Sequence, residues 1–294
     1  MIAGPASGFK DADERKVVVI RSASCLQSGA DIPLLMNPFS KLSLLFAFCS
    51  VTATLTAEEQ QAATLMTIRG KLLASENFDK PLAPFTGKPV GFASGFAGWR
   101  YYSGSTPGKG GSWEQVDGVF KGSENPEAHH PATASFGIEY KDAIIQCDFR
   151  LDDVPANGRL YRSVFVKATD VKDYVCALFA TAGSFNALAY DDSRIDPKTK
   201  QREKFPPVRA AVPVKLGEWH TAVLEIKGEE LVASVDGKSV TISSPLLGVD
   251  KHSVMLGVGT EASFRNFRVW EALPNPDWAK NKQAIATAAP APAK

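Results

Sequence analysis

Residues 219–242 read WHTAVLEIKGEELVASVDGKSVTI, and this run sets the fold class. Ala222, Leu224 and Ile226 alternate with Thr221, Val223 and Glu225. That is the period of two shown by a strand with one face on a core. Two turns interrupt the run, Ile226-Lys227-Gly228-Glu229 and Val235-Asp236-Gly237-Lys238. Asp-Gly between β-formers is the strongest short-range hairpin signal. The stretch therefore reads strand, turn, strand, turn, strand.

The same pattern extends in both directions. Upstream lie WEQVDGVFKG (113–122), ATASFGI (132–138), DAIIQCDFRLDD (142–153), RSVFVKATD (162–170), YVCALFATAG (174–183) and SFNALAYDD (184–192). Downstream lie SVMLGVG (253–259) and SFRNFRVWEAL (263–273). Many short strands separated by Gly, Asp and Pro predict an all-β protein, a two-sheet antiparallel jelly-roll sandwich over 75–273. Residues 58–74 read as a short N-terminal helix or leader, and the Ala/Pro-rich tail, 274–294, as disordered. In 142–151, Ala143, Ile145, Cys147, Phe149 and Leu151 form a core face, leaving Gln146, Asp148 and Arg150 as a polar row opposite. In 263–270 the same rule sets Phe264, Asn266, Arg268 and Trp270 against Ser263, Arg265, Phe267 and Val269.

Composition narrows the partners. The 294 residues are 44% hydrophobic and 22% charged, ordinary globular usage that supports a real core. Lys+Arg 33 against Asp+Glu 32 leaves a net charge of +1. That balance gives no electrostatic footprint for nucleic acid or an anionic membrane. With 4 Cys the chain is not a disulfide-dense miniature scaffold.

The N-terminal region carries an address. Met36 to Lys41 is a short n-region, Leu42 to Val51 is an uncharged apolar run of ten, and Val51-Thr52-Ala53 and Leu55-Thr56-Ala57 offer cleavage sites ending in Ala. This is the anatomy of a signal peptide over 36–57, predicting a secreted or periplasmic protein. A membrane span needs about 20 apolar residues, so none is expected here. Residues 1–35 show no sustained period and read as a spurious upstream extension. Cys147 and Cys176 lie beyond the address, both in predicted strands. A disulfide between them and two buried free thiols are both open.

The order of segments resembles the concanavalin-A-like lectin/glucanase superfamily. Within it, the chain is most similar to the 3-keto-disaccharide hydrolase-like domain, related to glycoside hydrolase family 16 and laminin-G-like sandwiches. The residues carrying the resemblance are ENFD (76–79), Trp113 with Asp117-Gly118-Val119, KDAIIQCDFR (141–150), GEWHTAVLEIKGEELVASVDG (217–237) and SFRNFRVWEA (263–272). The resemblance implies a secreted sandwich with carbohydrate as partner, acting as a hydrolase of glycosides or keto-disaccharides in a concave cleft. A non-catalytic glycan-binding or surface-interaction sandwich is the alternative. The Glu-x-Asp-x-Glu pattern of family 16 is absent from the 142–151 strand, whose acid is Asp148.

The resemblance matches Asp148 and Arg150 to an acid-x-Arg pattern on a polar strand, beside Gln146. It sets Asn157 to Arg162 and Tyr190-Asp191-Asp192 where the family has Asn-Ser-Gly leading to Arg, then Tyr-Glu-x-Gln. Asp148 and Asp191 are thus the candidate catalytic acids, and Gln146, Arg150, Arg162 and Tyr190 candidate substrate contacts. Asp148 and Arg150, two apart on one face, can also pair as a surface ion pair. Trp99 and Tyr102, in a Gly/Ser-rich stretch, read either as a sugar-stacking platform or as a cap on the core. His129-His130, near Glu124 and Glu127, reads as a polar loop or an acid/base and metal-binding pair. Residues 192–207 read as a long charged loop. No cofactor is expected, apart from a structural calcium at Asp79 that relatives of the fold suggest.

Overall fold

The computed structural model describes residues 61–82, 98–101, 111–127, 130–154, 162–171, 174–195, 202–204 and 208–288, with backbone alone for 191–195 and 202–204. The signal-peptide and upstream-extension expectations lie outside these residues.

The strands are β1 (Thr67–Glu76), β2 (Gly98–Arg100), β3 (Gly111–Val116), β4 (Val119–Glu124), β5 (Ala132–Tyr140), β6 (Ala143–Leu151), β7 (Ser163–Thr169) and β8 (Tyr174–Thr181). They continue as β9 (Ser184–Ile195), β10 (Arg202–Lys204), β11 (Val208–Ala211), β12 (His220–Lys227), β13 (Glu230–Val235), β14 (Lys238–Ser243), β15 (Lys251–Gly259) and β16 (Glu261–Pro274). One helix follows, α1 (Trp278–Ala288).

The first sheet runs β14-β13-β12-β6-β16-β4-β3, with β1 beside β16; the second runs β10-β9-β8-β7-β15-β5-β2, with β11 beside β9. Each sheet is 8-stranded, and the pairings are antiparallel. The two pack face to face as a jelly-roll sandwich. The Asp-Gly turns fall where the sequence puts them: Asp117, Gly118, Asp236 and Gly237 all take positive φ, as a type I′ hairpin demands.

Between the sheets lie Ala143, Ile145, Cys147, Phe149 and Leu151 of β6, and Ala222, Leu224 and Ile226 of β12. They meet Leu178, Leu256 and Val258 of the second sheet. Cys147 and Cys176 are free and buried, one in each sheet. Desolvation pushes both thiols up, Cys176 to about 12, so neither is a ready thiolate.

Three expectations are corrected. Thr67–Glu76 is a strand that takes in 67–74 of the stretch read as helix or leader, because β16 offers it a whole edge to pair with. Trp278–Ala288 is helical within the tail read as disordered. Ile285 and Trp278 pack on Met66 and Val232, a tertiary contact that an Ala-rich composition does not reveal. The 192–207 loop holds the end of β9 and β10, which pair as a hairpin.

The alternation read along 263–270 also fails, for a local reason. Arg265 pairs with Asp148 but Arg268 pairs with Gln146, so β16 spends one more residue than β6 between these points. This is a β-bulge, with Asn266 at φ 53. Phe264, Phe267 and Val269 therefore all reach the core. Arg265 and Asn266 are left as neighbours on the outer face.

Candidate functional site

The bulge builds the site. On the outer face of the first sheet, β6 presents Gln146, Asp148 and Arg150, flanked by β12 and β16. Asp148 accepts hydrogen bonds from Thr221 Oγ1 at 2.8 Å, Asn266 Nδ2 at 2.8 Å and Arg265 Nε at 3.3 Å. Three adjacent strands thus converge on one carboxylate. Without the bulge, Arg265 and Asn266 would point to opposite faces, and one of these donors would be lost.

Arg150 does not pair with Asp148. Its Nε donates to Asp152 at 2.6 Å, and its Nη2 reaches Ser263 Oγ at 3.4 Å. The Trp219 ring draws both guanidiniums onto its π system, with Arg265 Cζ at 4.2 Å and Arg150 Cζ at 4.9 Å from the ring. Beside it, buried His220 holds Asp236 Oδ2 at 2.6 Å, while Thr221 N donates to Asp236 Oδ1 at 2.9 Å. His220 Nε2 accepts from Lys215 N at 3.1 Å. Both ring nitrogens are engaged within the fold.

Asp148, Trp219, Thr221, Asp236, Arg265 and Asn266 line a groove of about 1090 Å³ that also takes in Gln146, Arg268, Trp270 and Gln61 to Ala63. The N-terminal segment forms one wall. Ala62 N donates to Gln146 Oε1 at 3.2 Å, and Arg69 Nη2 reaches the same oxygen at 2.8 Å. Gln146 is consequently only 5% exposed, so the expected polar row is half-covered. Farther along, Glu225 is 0% exposed and accepts from Leu65 N, Met66 N, Thr67 N and Thr67 Oγ1 at 2.8–2.9 Å. A buried carboxylate is tolerated when donors replace its water, and here they do. Glu225, read from alternation as an outward polar residue, is in fact the pin that holds the N-terminal segment on the sheet.

The other candidates do not join this groove. Trp99 lies between the sheets, packed on Phe78, Phe120, Phe136 and Phe267 at centroid distances of 5.1–5.6 Å. It caps the core and is no exposed platform. Tyr190 sits on the outer face of the second sheet, 5.6 Å from Tyr174, and Lys167 Nζ stands over Phe165, Tyr174 and Tyr190. Arg162 precedes β7 and donates to Val154 O. His130 is exposed, its Nδ1 2.7 Å from Pro131 O. Tyr102, His129 and the Asp191 side chain lie outside the described residues. Asp79 is exposed, and among the described residues no group of three or more His, Cys, Asp and Glu side chains is placed to hold a metal. Nor, among them, is any helix long and apolar enough to cross a membrane.

Alternation in the sequence put Asp148 on the outer face but did not show its partners. Asn266 and Arg265 are hidden by a bulge that no local motif announces. Asp236 read as a turn residue only.

Against known proteins, no family model matches the chain, and no curated protein matches it. Solved structures do. A carbohydrate-binding module, CBM66 from Bacillus subtilis, is 11% identical, with 61% of this chain and 99% of that one covered at a TM-score of 0.44. A Bacillus licheniformis β-glucanase is 9% identical, covering 69% and 98% at 0.47. SCLam, a non-specific endo-β-1,3(4)-glucanase of family GH16, is 11% identical, covering 70% and 95% at 0.46. The fold itself, two packed antiparallel sheets, rests on the strand topology described above. Likenesses of this strength say nothing of ligand or reaction, which rest on the groove alone.

Proposed function

We propose that the chain is an exported carbohydrate-binding β-sandwich whose ligand lies in the groove over β12, β6 and β16. The observation that carries this reading is the convergence of Thr221, Arg265 and Asn266 on Asp148, beside Trp219. Sugar hydroxyls are recognised by planar carboxylate, amide and guanidinium groups held rigidly by one another, next to an aromatic side chain. Strands hold such groups better than loops do.

Binding is favoured over hydrolysis. Glycoside cleavage by paired carboxylates needs a second acid facing the first across the bond, about 5–9.5 Å away depending on mechanism. The other carboxylate lining this groove, Asp236, has both oxygens committed to His220 and Thr221 N. His220 likewise has both ring nitrogens turned to groups of the fold, Asp236 and Lys215.

Calorimetric titration of the full chain with oligosaccharides tests this. Wild type is expected to bind at least one, Asp148→Ala to lose roughly tenfold or more in affinity, the scale of a charged hydrogen bond, and neither protein to release reducing ends. Turnover by wild type that vanishes in Asp148→Asn would reinstate the hydrolase reading.

A further inference from the structure

The groove contains one cationic fork held ready for a ligand. Arg265 is fixed twice: its Nε is turned to Asp148 at 3.3 Å, and its guanidinium lies over Trp219 at 4.2 Å. Among the described residues its Nη1 and Nη2 meet no acceptor, and the side chain is 41% exposed in the groove wall. A guanidinium so restrained has already lost much of its rotational freedom, and its remaining edge presents two parallel N–H donors. That edge matches the two oxygens of a carboxylate.

Its neighbours are differently disposed. Arg268 Nη1 faces Phe267 O at 2.9 Å and Glu76 O at 3.4 Å. Arg150 is turned to Asp152 and Arg69 to Gln146. Among the described residues the groove's two acids already accept hydrogen bonds within the fold, Asp148 from Thr221, Asn266 and Arg265 Nε, and Asp236 from Thr221 N with His220 on its other oxygen. The Nη edge of Arg265 is the outward-facing pair of charged donors. Arg265 lies opposite Asp148 in unbroken register, with core-facing Phe264 before it, so the strand itself turns this side chain outward, and the bulge that follows sets Asn266 beside it.

We propose that the glycan recognised in this groove is acidic, a uronic acid polymer, with its carboxylate received bidentately by Arg265 Nη1 and Nη2. This rests on the carbohydrate-binding reading and names the substrate class of that same site.

The test is calorimetry of the full chain with size-matched probes, tetragalacturonate and cellotetraose, at two salt concentrations. Wild type is expected to bind the uronate at least tenfold more tightly, with affinity falling as salt rises. Arg265→Lys keeps the charge but loses the fork, and is expected to erase about tenfold of that preference, read as the ratio of the two affinities in each protein. Arg265→Gln, which keeps two donors without the charge, is the second variant, and the thermal midpoint of each confirms folding. Equal or tighter binding of cellotetraose by wild type would overturn the proposal, as would a uronate preference that survives both variants; carbohydrate binding would still stand. Binding of neither sugar would remove the carbohydrate reading and this inference with it.

Discussion

Glu225 illustrates what a single side chain does here. Its carboxylate answers three consecutive backbone N–H groups and a hydroxyl of a segment about 160 residues earlier in the chain. In Glu225→Gln one acceptor oxygen becomes an NH₂ facing N–H donors, which leaves buried donors unpaired. Such a change costs about 3 kcal/mol. The expected result is a lowered thermal midpoint, together with faster amide exchange at 65–67. An unchanged exchange rate there would show that the segment is held by its apolar contacts, Met66 on Val232 and Ile285, rather than by this pin. None of this was legible beforehand: a Glu at an outward strand position reads as solvated unless the segment covering it is known. Asp148 was legible, because its neighbours in sequence fix its face.

At the level of elements, the bulge in β16 matters most. Asn266 at φ 53 occupies the left-handed region, which Asn and Gly tolerate and β-branched residues do not. Asn266→Gly is expected to keep the bulge and remove one donor to Asp148, weakening ligand binding with little loss of stability. Asn266→Val is expected to lose about 1–2 kcal/mol and ligand binding together, because it strains the left-handed bulge position and removes the Nδ2 donor to Asp148. Chemical denaturation alongside titration separates the two. Periodicity found β12, β6 and the Asp-Gly hairpins, since those depend on neighbours one or two residues apart. It missed β1 and α1, whose conformation is decided by β16 and by the outer face of β13. Alternation failed at the bulge, and it failed where the candidate site lies, as expected of a place where local preference yields to function.

For the whole molecule, acid should loosen the outer layer. Asp142 is held below the usual carboxylate range: burial alone would raise it, but hydrogen bonds from Lys227 and Gly228 and the nearby ammoniums outweigh that. Glu230 is depressed likewise, its burial outweighed by Lys282 and Trp278 of α1. A carboxylate depressed in the folded state contributes stability above its unfolded value, ~4, and loses it as pH falls through the folded one. The thermal midpoint is therefore expected to hold steady from neutral pH to about 5 and to fall below pH 4. Lys282→Met, which removes one of the opposing ammoniums, should shrink that fall. A midpoint flat down to pH 2 would contradict the assignment. By itself the sequence determined the sandwich, its hairpin turns and the outward face of Asp148, because each follows from residues close together in the chain. The tertiary structure decided which polar groups meet that acid, which are covered by the N-terminal segment, and that Asn266 joins Arg265 on the outer face. Those depend on one extra residue in β16 and on a buried carboxylate in β12, and a bulge or a pin exists only once distant strands are in register.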